Sequence, residues 1–451
     1  MKKSKYVVVF TFFVFSILFA FTTHFYADSS KQCAIRLYVA NEPYQLQPKG
    51  EENQNLDFAG VLSYSNGSPV VESFEPHDYK EINDWEIEEN HLGSYSKPYK
   101  TIQHAVDMVR KHQEANPGNG YSYTIFVKNG YYPIKGTIVV SDVKHLVISG
   151  APTSNDQSYE IPVIEFQQHE IEDQPSIISS TSLTSPSISA PAVDCSSAVP
   201  AMLVENASNI TIQNLNLSGG ESAVLQVKNS SYITVRYCDL SLPINIGCGT
   251  GVIDTWKSSP LTIIDNNLTA RKATSNGDYT NHAIYVIGYK TYTGGNDFLI
   301  RDNYCEDGGI KLRGADSSGI RNALVTYNII DGPKSGFVLA KKAHSLKINY
   351  NTVYSNYYTA IPGLHTSDIG WGIRFENNTV HLKGSETKYW WKPKILVHGF
   401  SSTSDYNNIY IMQNNQYYGN APIGSYYTHV AWVFTSLQDF LNTKDFGSSF
   451  N

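Results

Sequence analysis

The sequence predicts an all-β fold, a parallel β-solenoid wound as stacked coils, and three observations carry that prediction. Six segments superimpose: Leu261–Asn266, Phe298–Asn303, Ala323–Asn328, Leu346–Asn351, Ile373–Asn378 and Ile409–Asn414. Each has apolar residues two apart and an asparagine three positions after the second. The asparagines step along the chain by 37, 25, 23, 27 and 36 residues. A period in this range, lengthened by insertions, marks a quasi-one-dimensional stack. The apolar alternation of two makes the segments strands rather than helices.

Asparagine suits a corner of such a coil for two reasons. It tolerates the left-handed backbone where a strand bends sharply, and its amide bonds neighbouring backbone groups. Amides stacked at one corner can also bond one another in a ladder. Two earlier segments, Ile210–Leu217 and Ile233–Leu240, keep the apolar pattern with Leu215 and Cys238 in the asparagine column.

The other elements follow in chain order. Lys2, Lys3 and Lys5 precede an uncharged run from Tyr6 to Phe21, the basic and apolar regions of an export signal. Residues 1–27 are read as that signal, ending at Ala27, with an uncleaved anchor as the alternative because Phe25 suits the cleavage site poorly. Residues 28–92 read as an irregular, acidic extension, and 93–445 as the solenoid domain with a short C-terminal cap. Ile102, Ala105, Val106 and Val109 recur at helical spacing, so 100–112 is expected to be an amphipathic helix. Its natural role is to cap the open, apolar end of the stack. A strand from Thr124 ends at the Asn129-Gly130 turn, and strands follow at Thr137–Val140 and His145–Ser149. The Ser/Thr/Pro-rich stretch 174–200 reads as a loop, coils run from Ala201 to about Asn415, and Trp432–Leu441 reads as a helix covering the far end.

Composition agrees. Charged residues are 17% of the chain, and the 32 tyrosines and 32 glycines suit strands and turns. A formal charge of −7 argues against nucleic acid as the partner, since phosphate binding needs a dense basic surface. Five cysteines (Cys33, Cys195, Cys238, Cys248, Cys305) are too few for a disulfide scaffold, and none has metal-site spacing.

The helix motif Pro98-Tyr-Lys-Thr-Ile-Gln103, the Asn129-Gly-Tyr-Tyr132 turn and the asparagine column together resemble secreted right-handed parallel β-helix proteins of the pectate-lyase-like superfamily. The resemblance covers roughly 95–445. It implies a right-handed coil and a polysaccharide lyase, epimerase or hydrolase acting on acidic glycans. Fold by itself does not assign the activity. The Asn-Thr-Asp, Gly-Asp-Asp and Gly-His-Gly motifs of polygalacturonase-type hydrolases are absent, as is a run of close aspartates like the calcium site of Lys-dependent pectate lyases. Glu75-Pro-His-Asp78 echoes the Asp-Pro-His-Asp of mannuronan C5-epimerases but precedes the repeats and is read as coincidence.

A further strand in each coil supplies the chemistry. Aligned by pattern, Met202/Val204, Leu225/Val227, Ile253/Thr255, Ile284/Val286, Ile310/Leu312 and Phe337/Leu339 point inward. Leu203/Glu205, Gln226/Lys228, Asp254/Trp256, Tyr285/Ile287, Lys311/Arg313 and Val338/Ala340 point outward, with Lys341, Lys342 and His344 just beyond. Lys with Arg suits a uronate: Arg holds a carboxylate through paired bonds, and a crowded Lys shifts toward neutrality. β-Elimination needs the carboxylate neutralised, the C5 proton removed and the leaving oxygen protonated. Lys311 is the candidate base, Arg313 or Lys341 the carboxylate binder, Trp256 and Tyr285 sugar-stacking groups, and Asp254 a candidate ligand for Ca²⁺. The same Ile-Lys-Leu-Arg alternation is also that of any half-exposed strand.

The expected protein is an exported, extracytoplasmic polysaccharide lyase acting on a uronate-containing glycan. The alternatives are a non-catalytic glycan-binding or adhesin-like β-helix, or a hydrolase or epimerase on the same fold, with Asp302, Glu306 and Asp307 the local acidic cluster for a hydrolase. The expected partner is an acidic polysaccharide, with a membrane involved only where the N-terminal segment stays uncleaved, and the chain is expected as a monomer. Trp390-Trp391 with Lys392 and Lys394 is a candidate glycan-binding lip in a long insertion.

Overall fold

The computed structural model describes residues 34–40, 60–65, 68–73, 98–118, 120–151, 161–167, 198–241, 251–270, 282–288, 298–314, 320–331, 338–341, 343–355, 364–367, 372–382, 410–418 and 449–450. Three long sheets run along the stack among the described residues, two 11-stranded and one 8-stranded, and each coil from Met202 to Leu382 contributes one strand to each. All pairings within them are parallel. In one coil, Leu225–Lys228 lies in the 8-stranded sheet, Ser231–Arg236 in the first 11-stranded sheet and Asp239–Ser241 in the second. The chain is therefore a parallel β-helix. The predicted signal, the Glu75–Asp78 echo, Trp390-Trp391 and the Trp432–Leu441 cap lie outside the described residues.

The interior is built by the alternation seen in the sequence. Ile210, Ile212, Ile233, Val235, Leu261, Ile263, Phe298 and Ile300 line the core from the first sheet, with exposures of 2% or less. Each such side chain contributes about 1.5–3 kcal/mol by leaving water. A continuous column of them replaces the single globular core that a chain of this length would otherwise need.

Asn266, Asn303, Asn328, Asn351, Asn378 and Asn415 stack at the corner between the two 11-stranded sheets, all 3% exposed or less. From Asn266 to Asn378, each Nδ2 donates to the Oδ1 of the next asparagine at 2.9–3.1 Å, and that Oδ1 also accepts the backbone N–H of the preceding asparagine. The Cys238 N–H donates to Asn266 Oδ1 at 3.0 Å, so Cys238 occupies the head of the column as its spacing predicted.

Two details differ from the sequence reading. The last rung is Asn415 rather than Asn414, because Tyr410, not Ile409, pairs with Ile373. The last step is therefore 37 residues. In addition, the left-handed residue at each corner precedes the ladder asparagine: Asp265, Asp302, Tyr327, Tyr350, Asn377 and Asn414 have φ of 54–56°. The ladder residue is selected for its amide, and the bend falls on its neighbour.

The helix α1 spans Ile102–Ala115, longer at its end than the predicted 100–112. Thr101 caps its start, accepting the His104 N–H at 3.1 Å. The Asn116 side chain donates to the His112 carbonyl oxygen at its end. Its apolar face, Ile102, Ala105, Val106, Met108 and Val109, is buried against Ala34–Val39, Ser122–Val127 and Ile138–Ser141, the first strands of two sheets. The 28–92 segment is not wholly irregular. Ala34–Val39 pairs with Ser122–Val127 and starts the first sheet, burying Ile35, Leu37 and Val39, and Gly60–Ser65 with Ser68–Ser73 forms an antiparallel hairpin.

Gly220 marks where the backbone crowds itself, between the second and third sheets. It has φ +86, and an added Cβ would press on the Ala223 carbonyl oxygen and lie 2.6 Å from the Ala201 nitrogen. Gly220→Ala is expected to cost about 3 kcal/mol, combining left-handed strain with a backbone clash. A thermal midpoint equal to that of the parent would show that the turn relaxes.

Candidate functional site

The 8-stranded sheet carries the predicted chemistry, and its hydrogen-bonded register fixes which residues share a column. Gln226, Asp254, Tyr285 and Lys311 pair in one column, with Leu339 and His365 beyond. Lys228, Trp256, Ile287 and Arg313 form the next, with Lys341 and Ser367 beyond. The inward set Met202/Val204 to Ile310/Leu312 is fully buried as predicted. The Val338–Lys341 coil is one residue out of the predicted register: Val338 pairs with Ile310 and Lys341 with Arg313. Lys341 thus joins the Arg313 column, and Leu339, not Val338, continues the Lys311 column.

Lys311, Arg313, Tyr285 and Asp254 come together across three coils. The Lys311 Nζ lies 4.5 Å from the centroid of the Tyr285 ring, a cation–π contact. Arg313 Nη1 donates to the Tyr285 hydroxyl at 3.3 Å. Tyr285 is only 7% exposed and one ring face meets an ammonium. It therefore organises the two cations instead of offering an open stacking face. Trp256, 43% exposed with Lys257 Nζ 5.7 Å from its ring, is the accessible aromatic of the group.

Asp254 is buried beside them. Gln226 Nε2 donates to Asp254 Oδ2 at 3.1 Å, while Oδ1 has no hydrogen-bond partner among the described residues. Burial raises its carboxyl above the ordinary range, and the Gln226 bond and the charges of Lys228 and Lys311 offset part of that. A Ca²⁺ ion needs six to eight oxygen ligands, most of them anionic or carbonyl. No group of three or more His, Cys, Asp or Glu side chains suited to a metal exists among the described residues, and Asp254 has two lysines for electrostatic neighbours. The donors among the described residues do not fit the ion, and no step is derived through it.

The sequence reading missed His282. It is 1% exposed, its ring lies 5.5 Å from that of Tyr285, and its Nε2 has no hydrogen-bond partner among the described residues. Its strand neighbours are Gly251 and Gly309. Those flanking glycines were the available signal. Burial, then the charge of Lys311, pushes its pKa down to about 3 from 6.5. Between these values only the unfolded chain takes up the proton. Stability from this group is therefore lost as pH falls from about 6.5 toward about 3, by up to about 1.4 kcal/mol per unit. Asp254 has the opposite sign, because its raised pKa makes the folded chain the better proton binder. His282→Gln is expected to flatten the acid-side fall in urea midpoint, with the Asp254 contribution common to both proteins. Parallel falls would show that His282 does not stay neutral.

The alternative acidic cluster does not converge on this face. Asp302 sits at the ladder corner, 2.7 Å from Arg301, and Glu306 lies in the second 11-stranded sheet beside Asp331. The backbones of Lys341, His344 and His365 are placed by their strands, and Lys342 lies outside the described residues.

Residues 197–380, which hold the regular coils, match the family described as right handed beta helix region. The described coils have the parallel β-helix fold, and the matched region is of the right-handed kind. Solved structures similar to it include an alginate lyase from Paenibacillus sp. str. FPU-7, at 12% identity and a TM-score of 0.41, covering 77% of this chain and 97% of that one. Another is PfbA, a surface adhesin of Streptococcus pneumoniae, at 12% and 0.42, covering 77% and 85%. A third is the tailspike gp61 of Pseudomonas phage phi297, at 11% and 0.42, covering 67% and 44%. No curated protein matches the sequence. No helix among the described residues is long and apolar enough to cross a membrane.

Proposed function

We propose that the protein is an exported polysaccharide lyase that cleaves a uronate-containing glycan by β-elimination on the outer face of the 8-stranded sheet. The observation that carries this reading is the gathering of Lys311 and Arg313 on one buried tyrosine, Tyr285. A fixed cation for the carboxylate beside an amine that can take the C5 proton is what an elimination from a uronate requires. Arg313, with Lys341 next in its column, binds the C6 carboxylate and stabilises the charge that develops when C5 loses its proton. Lys311, as the neutral amine, takes that proton. The C5–H electron pair becomes the C4=C5 double bond, the C4–O4 bond breaks with its pair on O4, and O4 takes its proton from the Lys311 ammonium, which becomes the neutral amine again. Trp256 gives the sugar chain an apolar surface at the edge of the site.

The glycan is taken to be acidic and the protein monomeric and extracytoplasmic, the last on the basic and apolar N-terminal residues Lys2–Phe21. The test is absorbance at about 235 nm, which reports the unsaturated uronide, while purified protein meets pectate, alginate and glycosaminoglycans with and without Ca²⁺. A rise on one polymer supports the lyase and names its substrate. A flat trace on all of them, with retention on an immobilised glycan that Trp256→Ala abolishes, favours a non-catalytic glycan-binding protein, a reading that the exposure of Trp256 supports.

A further inference from the structure

The ladder corner carries a second feature, away from the 8-stranded sheet. The left-handed position before each ladder asparagine is filled in other coils by Asp265, Asp302, Asn377 and Asn414. Short polar side chains tolerate that backbone, whereas a bulky one is strained by it. Tyr327 and Tyr350 nevertheless occupy it on adjacent coils, both with φ of 56°. Their side chains gain little packing in return, being 53% and 47% exposed. The two rings lie within 6° of parallel with centroids 5.1 Å apart. Among the described residues they meet no other ring and no cation, and neither hydroxyl has a hydrogen-bond partner. Tyr237 shares the conformation, but the Arg236 guanidinium lies 5.8 Å from its ring centroid. Exposed Ile329 and Tyr304 pair on the second 11-stranded sheet and extend the apolar surface. A contiguous exposed patch of this kind marks an interaction site.

The surroundings say what kind of partner fits. Thr326, Asn349 and Glu376 are consecutive rungs of the column that adjoins the corner, and all three are buried. Asn349 Oδ1 has no hydrogen-bond partner among the described residues, an acceptor that a donor would satisfy. Charges of both signs stand close together. Arg301 and Asp302 pair at 2.7 Å on one side, and Arg374 lies 3.9 Å from Glu376 on the other. On the strands flanking the two tyrosines the charged residues are Asp331 and Lys347, one of each sign. The 8-stranded sheet is different, since Lys228, Lys311, Arg313 and Lys341 there outnumber Glu205 and Asp254. A polyanion is attracted to that sheet and finds no such excess at the corner. Aromatic surface with free hydroxyls, unfilled acceptor capacity and balanced charge complements an uncharged, hydroxyl-rich ring.

We infer that the Tyr327–Tyr350 corner is a binding site for a neutral, hexopyranose-based polysaccharide, separate from the elimination site. The C–H face of a sugar packs against the exposed tyrosine surface, and its hydroxyls bond the phenols and the polar column beside them. The protein then has two glycan surfaces of different charge preference, an acidic polymer on the cationic sheet and a neutral one at the corner. The corner site does not depend on the lyase reading.

The test is native affinity electrophoresis of the full chain through gels containing soluble β-glucan, starch or galactomannan, with pectate and alginate as acidic comparisons. Retardation by a neutral polymer is expected, and it should persist at high salt because no net charge drives it. The double variant Tyr327→Asn, Tyr350→Asn places at both positions the residue that Asn377 and Asn414 show the corner accepts. Its urea midpoint is expected to be no lower than the parent's, while its affinity for the neutral polymer falls about tenfold or more. In the parent, bound polymer is expected to protect Tyr327 and Tyr350 from nitration by tetranitromethane, which reads the same contact without a variant. No retardation by any neutral polymer, or equal retardation of parent and double variant, would overturn the inference. Unprotected tyrosines in the presence of a retarding polymer would overturn it as well. Capture of an oligolysine peptide, lost in the double variant while no neutral glycan binds, would replace it with a protein-docking surface. None of these outcomes bears on the unsaturated product, so the corner site and the lyase reading fail separately.

Discussion

Lys311→Ala is expected to lower kcat for the unsaturated product by about 10²–10⁴-fold, the usual contribution of a positioned general base. KM is expected to change little, because the carboxylate is assigned to Arg313. Arg313→Ala should instead lower kcat and raise KM together, since that side chain holds the substrate and the developing charge. The fold should survive both changes. Lys311 is half-buried and Arg313 exposed, while the residues that lock the strand into the core are Ile310 and Leu312, both fully buried. Activity in Lys311→Ala within a factor of about two of the parent would remove Lys311 from the chemistry. Tyr285→Phe gives an intermediate case. It keeps the ring beneath Lys311 but removes the hydroxyl that receives Arg313, so its loss should resemble that of the arginine variant.

The second large effect is on stability, at the ladder. Asn328 Nδ2 donates to the carbonyl oxygens of Ile300 and Thr326 and to Asn351 Oδ1 at 2.9–3.0 Å. Its own Oδ1 accepts the backbone and amide N–H groups of Asn303 at 3.0 and 2.9 Å. Truncation to Ala strands several of these groups in a site with no water access and leaves a cavity. The expected cost is about 3–5 kcal/mol, seen as a lower urea midpoint. Asn328→Asp, although nearly isosteric, is expected to be worse. It replaces three donated bonds by a carboxylate facing three acceptors, with no water to solvate it. An Asp variant more stable than the Ala variant would mean that the amide donors contribute little and that side-chain volume sets the cost.

The ladder was legible in the sequence because its amides obey a strict local rule: one asparagine at a fixed distance after an alternating apolar pair. The same rule correctly placed Cys238 at its head. It slipped by one residue in two places, at Ile409–Asn414 and at Phe337–Lys341. Both are runs in which apolar residues follow one another without alternation. Without a polar–apolar contrast, either parity buries hydrophobic side chains, and only pairing with the adjacent coil chooses. The first strand, Ala34–Val39, was overlooked for a different reason. Its alternation is clear, but an acidic, aperiodic stretch separates it from its partner Ser122–Val127.

The functional face shows the same division. The outward column Asp254, Tyr285, Lys311 was readable because β-strand alternation and the repeat together assign both a face and a neighbour. That Tyr285 holds two cations, that Asp254 is buried though it points outward, and that His282 joins them between two glycines were not readable. Burial of an outward side chain depends on what the adjacent coils place over it, and the lengths of the intervening insertions decide which residues those are. The sequence by itself determined the solenoid, its ladder and the faces of its strands, because these follow from periodicities of two and of one coil. The electrostatics of the site arose only in the tertiary structure, because they depend on contacts between residues some 28 positions apart, such as Gln226 with Asp254 and Arg313 with Tyr285, which no local pattern records.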